Sequence, residues 1–291
     1  MIKGQIRKLG NGREFLPLET LQQLSSITAL QEAPKVSNKY SFFSTMDVIN
    51  QLSHENWLPV SAQEQRVKDG NGRQGYQKHM VRFRQPGTVL SAVGGIAPEI
   101  VMTNSHDASS SYTLMAGFFR LACLNGLIVS EGEFGSIRMR HMGFQPEDVV
   151  DASYKIIEEI PQLIDKIGSY RDIILSRAEQ DIFGESALAL KFDAEVIRNG
   201  NLAVINDRHF SLPELLKPTR STAGEPSLWN TFNAVQEKFT KGNSFERTTR
   251  MVNGKIHRQE KVRGINGLNE TVRVNRGLWH LMEKMRELKA A

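Results

Sequence analysis

The sequence predicts an α+β protein in which an antiparallel meander packs on a long helix and a mostly helical C-terminal half follows. Three observations predict it. Between Trp57 and Arg84, apolar and polar residues alternate on either side of Asp69-Gly70-Asn71-Gly72, the signature of two strands joined by a tight reversal. From Pro146 to Gln180 apolar residues recur at helical spacing. Near the end, Val274, Leu278, Leu281, Met282, Met285 and Leu288 lay an apolar stripe on a closing helix.

The elements follow in order. Leu18 to Ala33 has helical spacing and stops before Pro34, which predicts an N-terminal helix. Ser44 or Thr45 caps a short helix whose Val48, Ile49 and Leu52 share one face. Strands are expected from Trp57 to Lys68 and from Gln74 to Arg84, the second stopped by Pro86-Gly87. Thr88 to Ala92 and Glu99 to Thr103 continue the meander. The polar loop Asn104 to Ser111 leads into an apolar helix from Tyr112 to Leu127, with Asn125-Gly126 as its left-handed stop. Glu133 to His141 reads as a further strand. Pro161 interrupts the long helical segment, and Ser186 to Arg198 forms another helix. Pro226 to Thr240 is helical, whereas Lys241 to Glu270, rich in Gly, Asn, Lys and Arg, is expected to loop. Four regions result: an N-terminal extension (1–43), an α/β core with the sheet (44–144), an acidic helical region (145–225) and a basic helical region (226–291).

With 40% hydrophobic and 24% charged residues the chain has the composition of a globular protein able to bury a full core. No apolar run is long enough to cross a bilayer, and the basic start from Met1 to Arg13 leads into no signal-like stretch. A cytoplasmic protein without membrane contact is expected. Cys123 is the single cysteine, which excludes an internal disulfide and a thiolate-rich zinc site within one chain. Its apolar neighbours make it a packed hydrophobe rather than a nucleophile.

Charge is unevenly distributed. Gln145 to Glu195 holds twelve acids and five bases, a net of −7, while Lys238 to Arg286 holds twelve bases and four acids, a net of +8. A second basic concentration lies between Arg66 and Arg84. Solvated faces that neutralise the acidic helices and a polyanion-binding surface are both consistent with this distribution.

Asn104-Ser105-His106-Asp107, the run Arg120 to Leu127, the segment Trp229 to Lys238 and Asn275-Arg276-Gly277-Leu278-Trp279 occur in an order that resembles the phage/plasmid-like proteins of domain-of-unknown-function family 932. The resemblance extends from Trp57 onward and implies a mobile-element origin; it brings no catalytic residues with it. The order of elements from Ser44 to Val129 is also similar to the core of single-strand annealing proteins. That likeness implies oligomeric rings holding single-stranded DNA in a basic groove without metal chemistry.

Residue chemistry points to candidate sites. Alternation sets Arg82 and Arg84 opposite Val81 and Phe83, and Arg138 and Arg140 opposite Ile137 and Met139, so that two strands offer outward arginines to phosphates or bases. Arg247, Arg250, Lys255, Arg258, Lys261 and Arg263 extend the basic set near the C-terminus. The loop residues Asn104, Ser105, His106 and Asp107 form a candidate polar or phosphate site, with Ser109, Ser110 or Ser111 capping the helix expected after them. The seven histidines make no metal motif, and no phosphate-binding glycine loop of the ATPase type is present. Trp229, Phe232, Val235 and Phe239 at helical spacing read as core. The expected function is non-enzymatic binding or annealing of single-stranded DNA for a phage or plasmid, as a homo-oligomer, with no cofactor and no metal. The alternatives are an anti-defence protein that inhibits a host defence or repair complex and, third, a metal-dependent nuclease.

Overall fold

The computed structural model describes residues 6–12, 14–67, 72–88, 95–120, 125–129, 136–139, 146–192, 211–219, 224–252, 255–265 and 267–290. They fall into two compact units, residues 1–164 with 266–269 and residues 165–265 with 270–291. The expected strand at Thr88 to Ala92, Cys123, Arg140 and the helical end at 193–198 lie wholly or largely outside the described residues.

The first unit is built on an antiparallel sheet. Its strands are β1 (Ile6–Leu9), β2 (Leu58–Gln65), β3 (His79–Arg84), β4 (Ile96–Asn104), β5 (Tyr112–Arg120), β6 (Asn125–Val129) and β7 (Ser136–Met139). They run in the order β1-β2-β3-β4-β5-β6, with β7 also paired to β5. Helix α1 (Thr45–His54) starts at Ser44, whose hydroxyl accepts from the Asp47 amide at 3.2 Å. Its Val48, Ile49 and Leu52 are fully buried, as the spacing predicts. Leu21, Leu24 and Ile27 are also fully buried, but the expected helix from Leu18 to Ala33 is only a 3-10 turn at Leu18–Gln23 followed by further turns. A spacing of three residues fits the 3-10 repeat as well as the α repeat.

The largest correction concerns Tyr112 to Leu127. The described residues of this run form not a helix but the strands β5 and β6, with Arg120 paired to Asn125 and Phe119 to Gly126. Tyr112, Leu114, Met115, Ala116 and Phe118 are all buried, so β5 carries no polar alternation that would distinguish it from a buried helix. Ser109 to Ser111 therefore precede a strand and cap nothing. The expected α+β class holds: an antiparallel sheet is followed by a mostly helical C-terminal half.

Helix α2 (Pro146–Asp172) runs uninterrupted through Pro161. The second unit continues with α3 (Arg177–Phe192), α4 (Leu212–Leu216), α5 (Leu228–Lys241), the hairpin strands β8 (Gly242–Val252) and β9 (Lys255–Arg263), and α6 (Leu268–Ala290). Helix α5 is its centre, with eleven of fourteen residues buried. The loop expected from Lys241 to Glu270 is instead the two-stranded β8–β9 ribbon and the start of α6. Among the described residues no helix is long and apolar enough to cross a membrane.

Candidate nucleic-acid interface

The arginines of β3 do not face outward. Arg82 and Arg84 are 7% and 5% exposed, and Glu99 of β4 is fully buried between them. Arg82 Nε and Arg84 Nη2 each donate to a different Glu99 oxygen at 2.5 Å. Every residue of β3 and β4 is buried, so strand alternation separates two interior faces here rather than interior from solvent. The guanidiniums share one carboxylate inside the unit and are withdrawn from the surface. Arg138 on β7 is exposed as expected, with Nε donating to the Ser111 hydroxyl at 2.9 Å.

The loop after β4 is closed on itself. Asn104, Ser105 and His106 are fully buried. His79 Nδ1 lies 3.1 Å from the Gln77 carbonyl and donates to it, leaving Nε2 to accept from the Thr45 hydroxyl at 2.8 Å. That hydroxyl then accepts from His106 Nε2 at 3.2 Å and Asn104 Nδ2 at 3.3 Å. The Asn104 side-chain Oδ1 accepts from the Ser105 amide, and the Ser105 hydroxyl accepts from the Ser110 amide. Asp107 accepts from the Ser109 amide at 3.0 Å and from Arg73 Nε at 2.6 Å. Burial pushes the Asp107 carboxyl up, but these bonds outweigh it and hold the group below its ordinary range. The Thr45 and His79 pair resembles an activated hydroxyl, yet both residues are fully buried. The cluster anchors the loop to the start of α1 rather than opening a phosphate site.

The polar residues of the Trp229 to Lys238 segment are likewise held inside. Gln236 Nε2 donates to Asn275 Oδ1 at 3.0 Å, and Asn233 Nδ2 donates to the Trp229 carbonyl at 2.7 Å. Lys238 is 5% exposed, and its ammonium donates to the carbonyls of Glu214, Leu215 and Lys217 where α4 ends. Burial pulls its pKa down to about 8. Trp279 packs edge-on against Tyr170, and a Cβ on Gly277 would come within 3.0 Å of Leu190. These segments build the core of the second unit, as expected for Phe232, Val235 and Phe239.

The other described basic residues expected to bind nucleic acid lie on the ribbon. Between residues 242 and 263 stand Arg247, Arg250, Lys255, Arg258, Lys261 and Arg263 against Glu246 and Glu260, six bases less two acids for a net of +4. The ladder pairs Glu246 with Lys261, Arg247 with Glu260 and Arg250 with Arg258. Lys261 and Arg263 are exposed, while Phe245 and Val262 are buried at the ribbon's base. Phe245 lies 5.9 Å from the Phe239 ring and 6.5 Å from that of Phe192. Lys191 Nζ donates to the Phe239 and Arg263 carbonyls at 3.0 and 3.1 Å, tying the end of α5 to the end of β9. The chain crosses itself tightly at this point: a Cβ on Gly264 would meet the Thr240 carbonyl oxygen at 2.5 Å. Sequence reasoning found these basic residues but not their strands. The missed signal was Asn253-Gly254, a hairpin dipeptide between Val252 and Lys255. Among the described residues no group of three or more His, Cys, Asp or Glu could hold a metal ion.

Comparison with known proteins agrees with the order of motifs. Residues 34–279 match the domain of unknown function DUF932. The UPF0380 proteins YafZ and YfjQ of Escherichia coli (strain K12) are each 28% identical over 249 residues, covering 86% of this chain and 84% of theirs. No solved structure matches significantly. The chain belongs to the DUF932 family.

Proposed function

We propose that this DUF932 chain binds single-stranded DNA without catalysing a reaction on it, serving recombination or establishment of a phage or plasmid, and that the β8–β9 ribbon makes the contact. One observation carries the reading: Arg250 is the ladder partner of Arg258, at a point where the register shifts on either side of Arg250. Like charges at opposed positions destabilise a strand pair, and a phosphate between them converts that repulsion into attraction. The ribbon's net of +4 extends the same logic along its length. Each phosphate neutralised releases condensed counterion, so binding weakens as salt rises.

Single strands and a homo-oligomeric working form are what the sequence resemblance of residues 44–129 to single-strand annealing proteins implies, although β5 and β6 stand where that resemblance has a long helix. Burial of Arg82 and Arg84 moves the expected contact from the sheet to the ribbon. Fluorescence anisotropy with labelled single- and double-stranded oligonucleotides, with and without magnesium, tests the reading. Tighter binding of the single strand with no cleavage is expected. Arg250→Ala with Arg258→Ala should lower the slope of log affinity against log salt by about 1.4, at about 0.7 per phosphate contact. Failure of the wild-type chain to bind, or magnesium-dependent cleavage, overturns it.

A further inference from the structure

The last helix carries a second row of cations. Arg273, Arg276, His280 and Lys284 are all exposed, and their spacing of three, four and four residues puts them on one face of α6. At 1.5 Å per residue the row is about 16 Å long. The opposite face is fixed: Val274, Leu278, Trp279 and Met282 are buried. The row is therefore held on a rigid rod.

Other cations of the same helix are engaged elsewhere. Arg286 lies over the Tyr170 ring at 5.9 Å, and Lys289 pairs with Glu179 at 3.0 Å. Within the row, Arg273 pairs with Glu270 and Lys284 with Glu287, at 2.6 and 2.7 Å. Each partner in these i,i+3 pairs has a side chain 39% to 54% exposed. Such pairs contribute little and exchange readily for a stronger anion. The two glutamates bracket the row at its ends, and no acid falls between Arg273 and Lys284 on that face; Glu283 turns to Lys166 at 3.0 Å.

The row follows the ribbon closely in the chain, with β9 ending at Arg263 and α6 beginning at Leu268. Lys191, which holds the Arg263 carbonyl at the end of β9, feels the carboxylate of Glu270 in the first turn of α6. We propose that the exposed face of α6 formed by Arg273, Arg276, His280 and Lys284 is a second binding track for the phosphate backbone of single-stranded DNA, continuing from the β8–β9 ribbon. The proposal rests on the reading of the ribbon as a DNA-binding element. It assigns single-stranded DNA as the occupant because a straight row of cations complements a linear polyanion.

Salt titrations of a labelled thirty-residue oligothymidylate test it, using the wild-type chain, the ribbon variant Arg250→Ala/Arg258→Ala and the row variant Arg273→Ala/Arg276→Ala/Lys284→Ala. Circular dichroism checks folding, and Arg276→Gln alone serves if the triple variant does not fold. The row variant is expected to lower the salt slope by about 2, from three contacts at about 0.7 each; Arg276→Gln should lower it by about 0.7. A folded row variant with the wild-type slope, beside a weakened ribbon variant, overturns the track and leaves the ribbon reading intact. A weakened row variant beside an unaffected ribbon variant overturns the ribbon reading and, with it, the track as a continuation of the ribbon. Absence of wild-type binding overturns both.

Discussion

Glu99→Ala is expected to be among the most damaging substitutions in the first unit. The carboxylate is fully buried and accepts from Arg82 and Arg84, whose own exposures are 7% and 5%. Its removal takes from two buried guanidiniums the carboxylate they share. Breaking one buried pair costs about 3–5 kcal/mol, against a total stability of about 5–15 kcal/mol for a domain. Because one carboxylate serves two arginines, the upper part of that range is expected. Replacing the whole triad with Arg82→Met, Glu99→Leu and Arg84→Met removes the charges together, and such replacements are neutral or stabilising by about 1–4 kcal/mol. Urea unfolding followed by circular dichroism, with hydrogen exchange of the β3 and β4 amides, measures both. A loss below about 1 kcal/mol for Glu99→Ala, or a triple variant as unstable as the single one, would refute the argument that charge pairing holds these strands.

Three further outcomes follow from the packing. Thr45→Val deletes the hydroxyl that joins His79, His106 and Asn104 and should cost about 1–3 kcal/mol for the polar groups left unsatisfied, read as a fall in the urea midpoint. Gly264→Ala drives a methyl into the Thr240 carbonyl and should raise amide exchange along residues 242–263 while sparing the sheet. Lys238 has a folded pKa of about 8 against an ordinary 10.5 because of burial. Below pH 8 the charged form carries the full burial cost; between about 8 and 10.5 the unfolded chain binds more protons, so stability rises with pH in that window. Lys238→Met should flatten that rise, and a wild-type stability that falls from pH 8 to 9.5 would contradict it.

Much of the fold was legible where one signal dominated. Ser44 ahead of Val48, Ile49 and Leu52 marked α1 because capping and periodicity agreed. The strand at β3 was found from alternation, but alternation says nothing about which face meets solvent when both are covered, so Arg82 and Arg84 were turned the wrong way. Tyr112 to Leu127 failed for the opposite reason: a run apolar on both faces has no period to read. The ribbon was hidden by composition, since its bases and glycines resemble a solvated loop until Asn253-Gly254 is weighed as a turn. The basic residues were thus located in sequence, while their division into buried triad, ribbon and helix face depends on tertiary packing.

The central claim is that the ribbon touches single-stranded DNA. Photocrosslinking of a bromodeoxyuridine-substituted single strand to the full chain, followed by peptide mapping, tests it most directly. Crosslinks concentrated within residues 242–263 are the expected result. Crosslinks confined to the sheet strands of the first unit, or none above those of a duplex control, would contradict it.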